Sequence, residues 1–274
     1  MFGIKQGWAC LFGGSMVGLL LITRFYYPAH APLARYDFLV LAALAIQAGM
    51  LFFKLESYEE AKVIFAFHIV GTVMEIFKTS VGSWIYPEPS LLRIAGVPLF
   101  SGFMYASVGS YLARVWRIFD FHFSGYPLRW ATLALAVAAY ANFFADHWHV
   151  DLRVPLFVSV AALYWRCTVW FKSDRKVRGL PMLAGFGLVA LFIWFAENIG
   201  TFSHAWIYPS QHAGWSLVSP GKIGSWLLLM IISFVLVSVV RAPMEPKDSI
   251  RAVAERRWPI LHMRRVVGMR SYGR

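Results

Sequence analysis

Charge of either sign is scarce in this sequence. Asp, Glu, Lys and Arg make up 15% of its 274 residues, against about a quarter in a soluble domain. An ordinary water-facing surface is therefore excluded. Acidic residues are scarcer still, 14 against 26 Lys and Arg, for a net charge of +12. Such a surplus would suit nucleic acid, but most of it flanks hydrophobic runs or lies in the tail. That placement fits membrane topology and anionic lipid, and no nucleic-acid partner is expected. Cysteine is limited to Cys10 and Cys167, both inside predicted helices and without CxxC spacing, which argues against zinc and redox roles. The chain contains no GxSxG, P-loop or Rossmann pattern, no HxxxH or HExxH, and no eight-histidine set of the membrane di-iron oxygenases.

What is abundant is grease: 59% hydrophobic and 17% aromatic residues. Eight runs, roughly 7–24, 37–54, 61–79, 95–113, 128–145, 153–171, 180–199 and 221–241, approach the length of about 20 apolar residues that a bilayer requires. In lipid an open chain satisfies its backbone groups only as helix. The expectation is an all-α polytopic membrane protein with about eight transmembrane helices. The segment before Ala31 has the look of a signal peptide, but its apolar core ends near Ile22, far from Ala29-His30-Ala31, so a retained first helix is expected. Lys54, Lys62, Arg114, Arg117, Arg129, Lys172, Arg175, Lys176 and Arg178 fall on one side with the tail beyond Arg241. The positive-inside rule places that side and both termini in the cytoplasm of a multi-pass inner-membrane protein. The expected domains are a membrane domain over 1–241 and a basic cytoplasmic tail over 242–274 that meets anionic headgroups.

One polar phrase occurs twice. "EIFKTSVGSWIYPEP" starts at Glu75 and "ENIGTFSHAWIYPSQ" at Glu197; each has Thr four residues after the Glu and Trp-Ile-Tyr-Pro nine after it. The copies are 122 residues apart, a shift of four spans, from the third to the seventh. The chain therefore reads as two parallel four-helix repeats, about 7–113 and 128–241. "RYDFLV" at Arg35 and "RVPLFV" at Arg153 are a weaker echo.

Most polar residues of this topology gather in its extracytoplasmic half, where an ionisable group is costly and faces an interior or cavity. His68, Thr72, Glu75 and Thr79 are spaced 4, 3 and 4, and Trp194, Glu197, Thr201 and His204 follow a similar pattern, each set on one helix face. Glu75, Glu197, His68 and His204 are the candidate catalytic residues. Thr72, Thr79, Trp84, Tyr86, Thr201, Trp206 and Tyr208 are the candidate lining. The aromatic residues also suit plain interface anchoring. "NFFADHWHVD" offers His147 and His149, which with Glu75 and Glu197 would supply ligands to a divalent metal; loop histidines at a water interface are the alternative.

The doubled Glu…Trp-Ile-Tyr-Pro, with "FHIVGTVMEIFK" and "GVPLFSGFMYASVGSYL", resembles the YoaT-like family of bacterial membrane proteins of unknown function, over roughly residues 35–241. The resemblance implies an integral membrane protein and supplies no reaction. Glu75, Gly82, Tyr86 and Gly96-Val97-Pro98-Leu99 are also similar to a pattern of membrane carotenoid hydratases and small-subunit lycopene cyclases. That similarity implies a Glu that protonates a carbon–carbon double bond of an isoprenoid. The chain departs from it: the PxEE acidic pair is missing and Ser219-Pro220 stands where the first half has Val97-Pro98. The leading expectation is an enzyme acting on a membrane lipid or isoprenoid through a paired-Glu site. A proton-coupled transporter of a small solute and a non-catalytic scaffold are the alternatives.

Overall fold

The computed structural model describes residues 2–145, 151–174 and 176–245. Nine α-helices fall among them: α1 (Phe2–Ala9), α2 (Leu11–Tyr26), α3 (Arg35–Phe52), α4 (Tyr58–Ser80), α5 (Phe100–Ile118), α6 (Arg129–Ala145), α7 (Arg153–Tyr164), α8 (Met182–Phe202) and α9 (Lys222–Val240). Each expected run overlaps one of the helices α2 to α9. By length and composition, four of the nine can cross a membrane: α3, α4, α8 and α9. The pair α1–α2, bent by 69°, makes a fifth if counted as one span.

The all-α expectation needs correcting, because two small antiparallel sheets are present. Strands β1 (Arg93–Ile94) and β2 (Val97–Pro98) form a short hairpin; β3 (His122–Ser124), β4 (Thr168–Lys172) and β5 (Val177–Pro181) form a three-stranded sheet in the order β3-β4-β5. The expected sixth span, 153–171, is helix only to Tyr164 and then becomes β4. Thr168-Val169-Trp170-Phe171 is rich in β-branched and aromatic residues, which favour a half-buried pleat. Its register with β5 sets Trp170 opposite Gly179, where a Cβ would collide with the indole ring.

Consecutive helices alternate between two ends. One carries the sheet: Lys5 of α1 donates to the carbonyl of Lys172, Met182 N–H donates to Cys167 O, and Phe123 N–H donates to Met244 O. The other carries both Trp-Ile-Tyr-Pro segments. The helices are held at close range by α4 against α5, the most extensive helix contact in the fold. Small residues allow this approach: Gly71 accommodates Tyr105, Gly109 accommodates Phe67, and Gly102 accommodates His68 and Thr72. Many apolar side chains are exposed, among them Leu41, Phe65, Trp130, Val137 and Val158. Water would penalise so large an apolar surface, whereas lipid would not.

Buried charge is confined to a few knots. At the sheet end Arg114, fully buried, donates to Trp8 O at 2.7 Å and Leu55 O at 3.2 Å and lies 3.9 Å from the Glu56 carboxylate. Glu56 also accepts from Gln47 and Ser110, each at 2.5 Å. The bend between α1 and α2 is thereby tied to the α3–α4 loop and to α5. Nearby, Glu60 accepts from Arg117 and Arg241, which joins α4 to the ends of α5 and α9.

Candidate functional site

Both repeated phrases terminate their helices in the same way. After α4, Ser83 N–H donates to Lys78 O and Gly82 N–H to Thr79 O; after α8, Ala205 N–H donates to Gly200 O and His204 N–H to Thr201 O. This is the Schellman closure, which needs a left-handed residue just past the helix. Gly82 fills that position with φ +73° and His204 with φ +54°. The two segments then meet: Ile85 and Ile207 exchange N–H···O bonds of 3.0 Å in both directions, forming an isolated antiparallel bridge. The Trp84 and Tyr208 rings pack edge to face with centroids 6.0 Å apart.

Residues Arg35, Tyr36 and Asp37 at the start of α3 clamp this arrangement. Arg35 holds Glu88 in a bidentate pair through Nη2 at 2.7 Å and Nε at 2.8 Å, and also donates to Ser203 O and His204 O. Tyr36 donates to Ala205 O at 3.0 Å, and Asp37 accepts the backbone N–H groups of Leu91 and Leu92. The "RYD" of the sequence therefore fastens both phrases to one helix.

Behind the bridge the two carboxylates are buried. Glu75 accepts from Trp84 Nε1 at 2.8 Å, Tyr86 OH at 2.5 Å and Tyr105 OH at 2.7 Å. Glu197 accepts from the Tyr208 hydroxyl and from Trp226 Nε1 at 2.5 Å. Burial, then the neighbouring carboxylate, pushes the Tyr86 and Tyr208 phenols well above their ordinary range, so both stay protonated and donate. Lys222, in the first turn of α9, lies over the Tyr208 ring at 4.5 Å and the Trp84 ring at 5.8 Å.

Glu75 and Glu197 line one cavity of about 1170 Å3, together with Trp84, Tyr86, Trp206 and Tyr208. Small-molecule pockets are usually about 300–1,000 Å3, so this one is large. Away from the carboxylates its wall is mostly apolar: Met182, Phe186, Leu229, Met230 and Phe234, with Trp116 and Phe119 toward the sheet end. Met182 and Glu197 both line it, and fifteen residues of α8 at about 1.5 Å each give a length of roughly 22 Å. One leaflet's hydrocarbon is about 15 Å deep, half of ~30 Å. Leu188, Phe192 and Phe195 of α8 line the cavity and are exposed.

The other expected site residues lie elsewhere. His68 and Thr72 face the α4–α5 seam, against Gly102, and the His68 ring packs on Phe103 with centroids 4.5 Å apart. The α4 residues on the cavity are Met74, Glu75 and Lys78, a stripe rotated from the 4, 3, 4 face. Thr79 and Thr201 are outside the lining; Thr201 accepts from Trp215 Nε1 and donates to Asn198 O. His204 is outside it as well, because its position is the helix-closing one. Burial, then Arg24 and Arg35, push its imidazole below the ordinary range, toward the neutral form. His147 and His149 lie outside the described residues. Among the described residues no group of three or more His, Cys, Asp or Glu side chains is gathered to hold a metal ion.

Two carboxylate partners escape a reading of the repeated phrase alone. Tyr105 follows Glu75 by 30 residues and Trp226 follows Glu197 by 29. Their offsets differ by one, so a comparison extended past Trp-Ile-Tyr-Pro at the same shift sets Tyr105 against Leu227 and Trp226 against Met104, and the sequence offers no simple signal for them. Lys222 belongs to "SPGKIGSW", which reads on its own as a plain helix start.

Exposed apolar flanks, long apolar helices and a buried carboxylate pair among aromatics define a helical membrane protein with a large, mostly apolar cavity. The chain belongs to the DUF817 family of proteins of unknown function, whose model matches residues 1–234. It is 42% identical over 240 residues to the uncharacterized protein YoaT of Bacillus subtilis (strain 168), covering 88% of this chain and 90% of that one. No solved structure matches it.

Proposed function

We propose that the protein is an enzyme of the cell membrane that acts on a lipid or isoprenoid chain held in this cavity, with Glu75 and Glu197 as its acid and base. The observation that carries the reading is that both carboxylates line a single cavity whose surface is mostly apolar. Burying two carboxylates is expensive, and a purely structural scaffold gains little from placing both on a shared space. Each is oriented by phenols that can pass a proton, Tyr86 and Tyr105 for Glu75 and Tyr208 for Glu197. A protonated member of one pair can give its proton to an alkene carbon of the chain, and the opposite carboxylate can take one from the neighbouring carbon. The exposed lining residues of α8 give a long chain a sideways route from the bilayer. A small polar solute would need polar groups along its path, and the deep wall of Phe, Met and Trp offers few.

The topology belongs to the same proposal. The alternation of α2 through α9 supports eight passes in two four-helix repeats, related by the Ile85–Ile207 bridge. Lys5, Lys62, Arg117, Lys172 and Arg241 at the sheet end support a cytoplasmic placement of that end under the positive-inside rule. The tail, of which 246–274 lie outside the described residues, would then meet anionic headgroups.

The test compares total lipid extracts, by mass spectrometry, from cells producing the parent, Glu75→Gln or Glu197→Gln at equal folded yield. Both variants are expected to accumulate the same precursor at least tenfold over the parent and to lose its product. Identical extracts, with parent proteoliposomes taking up a solute in a pH gradient, would replace catalysis by transport.

A further inference from the structure

We propose that Phe2, Phe119, Phe121 and Phe171 form the floor of the cavity and set the length of the hydrocarbon chain it accepts. The inference rests on the lipid reading above and adds the size of the lipid. All four side chains line the cavity, and they come from separate parts of the chain. Phe2 opens α1, Phe119 follows α5, Phe121 precedes β3 and Phe171 lies in β4.

Their rings pack on one another. The Phe119 centroid lies 5.5 Å from that of Phe2, 5.9 Å from Phe171 and 6.3 Å from Phe121. Lys172 N–H donates to Phe119 O at 2.9 Å, which fixes β4 against the end of α5. Charge adjoins the rings. Lys5 Nζ is 5.4 Å from the Phe119 centroid and donates to the carbonyls of Lys172 at 3.0 Å and Ile118 at 3.4 Å. Lys172 is 3.9 Å from Asp120, and both of these side chains are exposed. A hydrocarbon end pushed past the rings would strip water from charged groups, which is costly. The rings are therefore where an apolar chain stops.

The carboxylates mark the other end of its path. Tyr105, which donates to Glu75, and Phe119 both line the cavity. They are fourteen positions apart, which is about 21 Å at about 1.5 Å per helical residue. That agrees with the roughly 22 Å between Glu197 and Met182 on α8. An extended chain advances about 1.25 Å per carbon, given single bonds of about 1.52 Å, so about seventeen carbons fit. This is a straight acyl chain of about sixteen to eighteen carbons, or an isoprenoid of about four units with four backbone carbons each. Packed walls tolerate added methylenes poorly, and a single methylene changes recognition in an apolar pocket by about tenfold or more.

The experiment titrates the purified, detergent-solubilised full chain with straight-chain alcohols of twelve to twenty-two carbons and with geranylgeraniol, read by native mass spectrometry. Parent affinity is expected to rise up to sixteen or eighteen carbons and to fall at least fivefold by twenty-two. Phe119→Ala should raise the affinity for the twenty-two-carbon alcohol at least fivefold and leave the twelve- and fourteen-carbon alcohols within twofold. A merely structural role would change every length alike. Phe2 is 46% exposed, so Phe2→Ala is the second variant, with the same shift expected, should Phe119→Ala not fold. Hexadecanol and geranylgeraniol have equal backbone lengths, and the tighter binder identifies the source, acyl or isoprenoid. A parent affinity still rising at twenty-two carbons, or variants that change all lengths alike, overturns the floor while leaving the lipid reading intact. Binding of no chain at all overturns the lipid reading itself.

Discussion

Arg114→Met is expected to destabilise the protein by about 3–5 kcal/mol, the usual cost of removing one member of a buried ion pair. The Glu56 carboxyl has no exposed surface, and Arg114 is the cation beside it. Without the guanidinium, that charge stays buried on two neutral donors, Gln47 and Ser110. The carbonyls of Trp8 and Leu55 lose a donor as well, and a lysine cannot reach both from one nitrogen. Such a loss is a large share of the roughly 5–15 kcal/mol that holds a typical domain together. The check is thermal unfolding in detergent. Arg114→Met should unfold far below the parent, and adding Glu56→Gln should recover much of the difference, because the uncompensated charge is then gone. A parent-like midpoint for Arg114→Met would show that the knot contributes little.

Arg35→Met is expected to cost about 2–3 kcal/mol, in the range of hydrogen bonds to charged groups. The figure is smaller because the Glu88 side chain keeps about a third of its surface, 32%, in contact with solvent. The consequence is more local. Arg35 joins the segment after α4, through Glu88, to the end of α8, through the Ser203 and His204 carbonyls. Its loss should loosen the two Trp-Ile-Tyr-Pro segments together. Amide hydrogen exchange is expected to quicken at Ile85 and Ile207, which bond each other, and to stay unchanged at the sheet end, in β4 and β5. Faster exchange throughout the chain would contradict a local clamp.

Much of this architecture is legible in the sequence because the helices are written in hydrophobicity. Each expected run overlaps a helix, since lipid-facing and core-facing residues are both apolar. The same property hides the sheet. After Tyr164, the run of Thr168 to Phe171 is equally compatible with more helix and with a strand, and only its β-branched and aromatic character and Arg166 mark the change. In the site, Glu75 and Glu197 are legible because the phrase around them is repeated, and a repeat separates two related carboxylates from two accidental ones. Helical spacing around them is less informative. His68 and Thr72 lie two turns and one turn before Glu75, yet they turn toward Gly102, whose missing side chain makes room for them. His204 looks chemical beside a Glu, but it takes the left-handed position that Gly82 takes in the first copy. Tyr105 and Trp226 differ in residue type and lie a helix away, so the phrase alone does not reveal them.

The central claim is that the cavity shared by Glu75 and Glu197 holds a long hydrocarbon chain. Its most direct test is photolabelling of the membrane-embedded protein with a long-chain lipid carrying a diazirine near the chain end, followed by peptide mapping. The account predicts labels on the inner wall, at Phe186, Leu229, Met230 and Phe234, that an excess of unlabelled lipid removes. Labels confined to the outer flanks, such as Leu133, Val137 and Val158, and unmoved by competitor would contradict it.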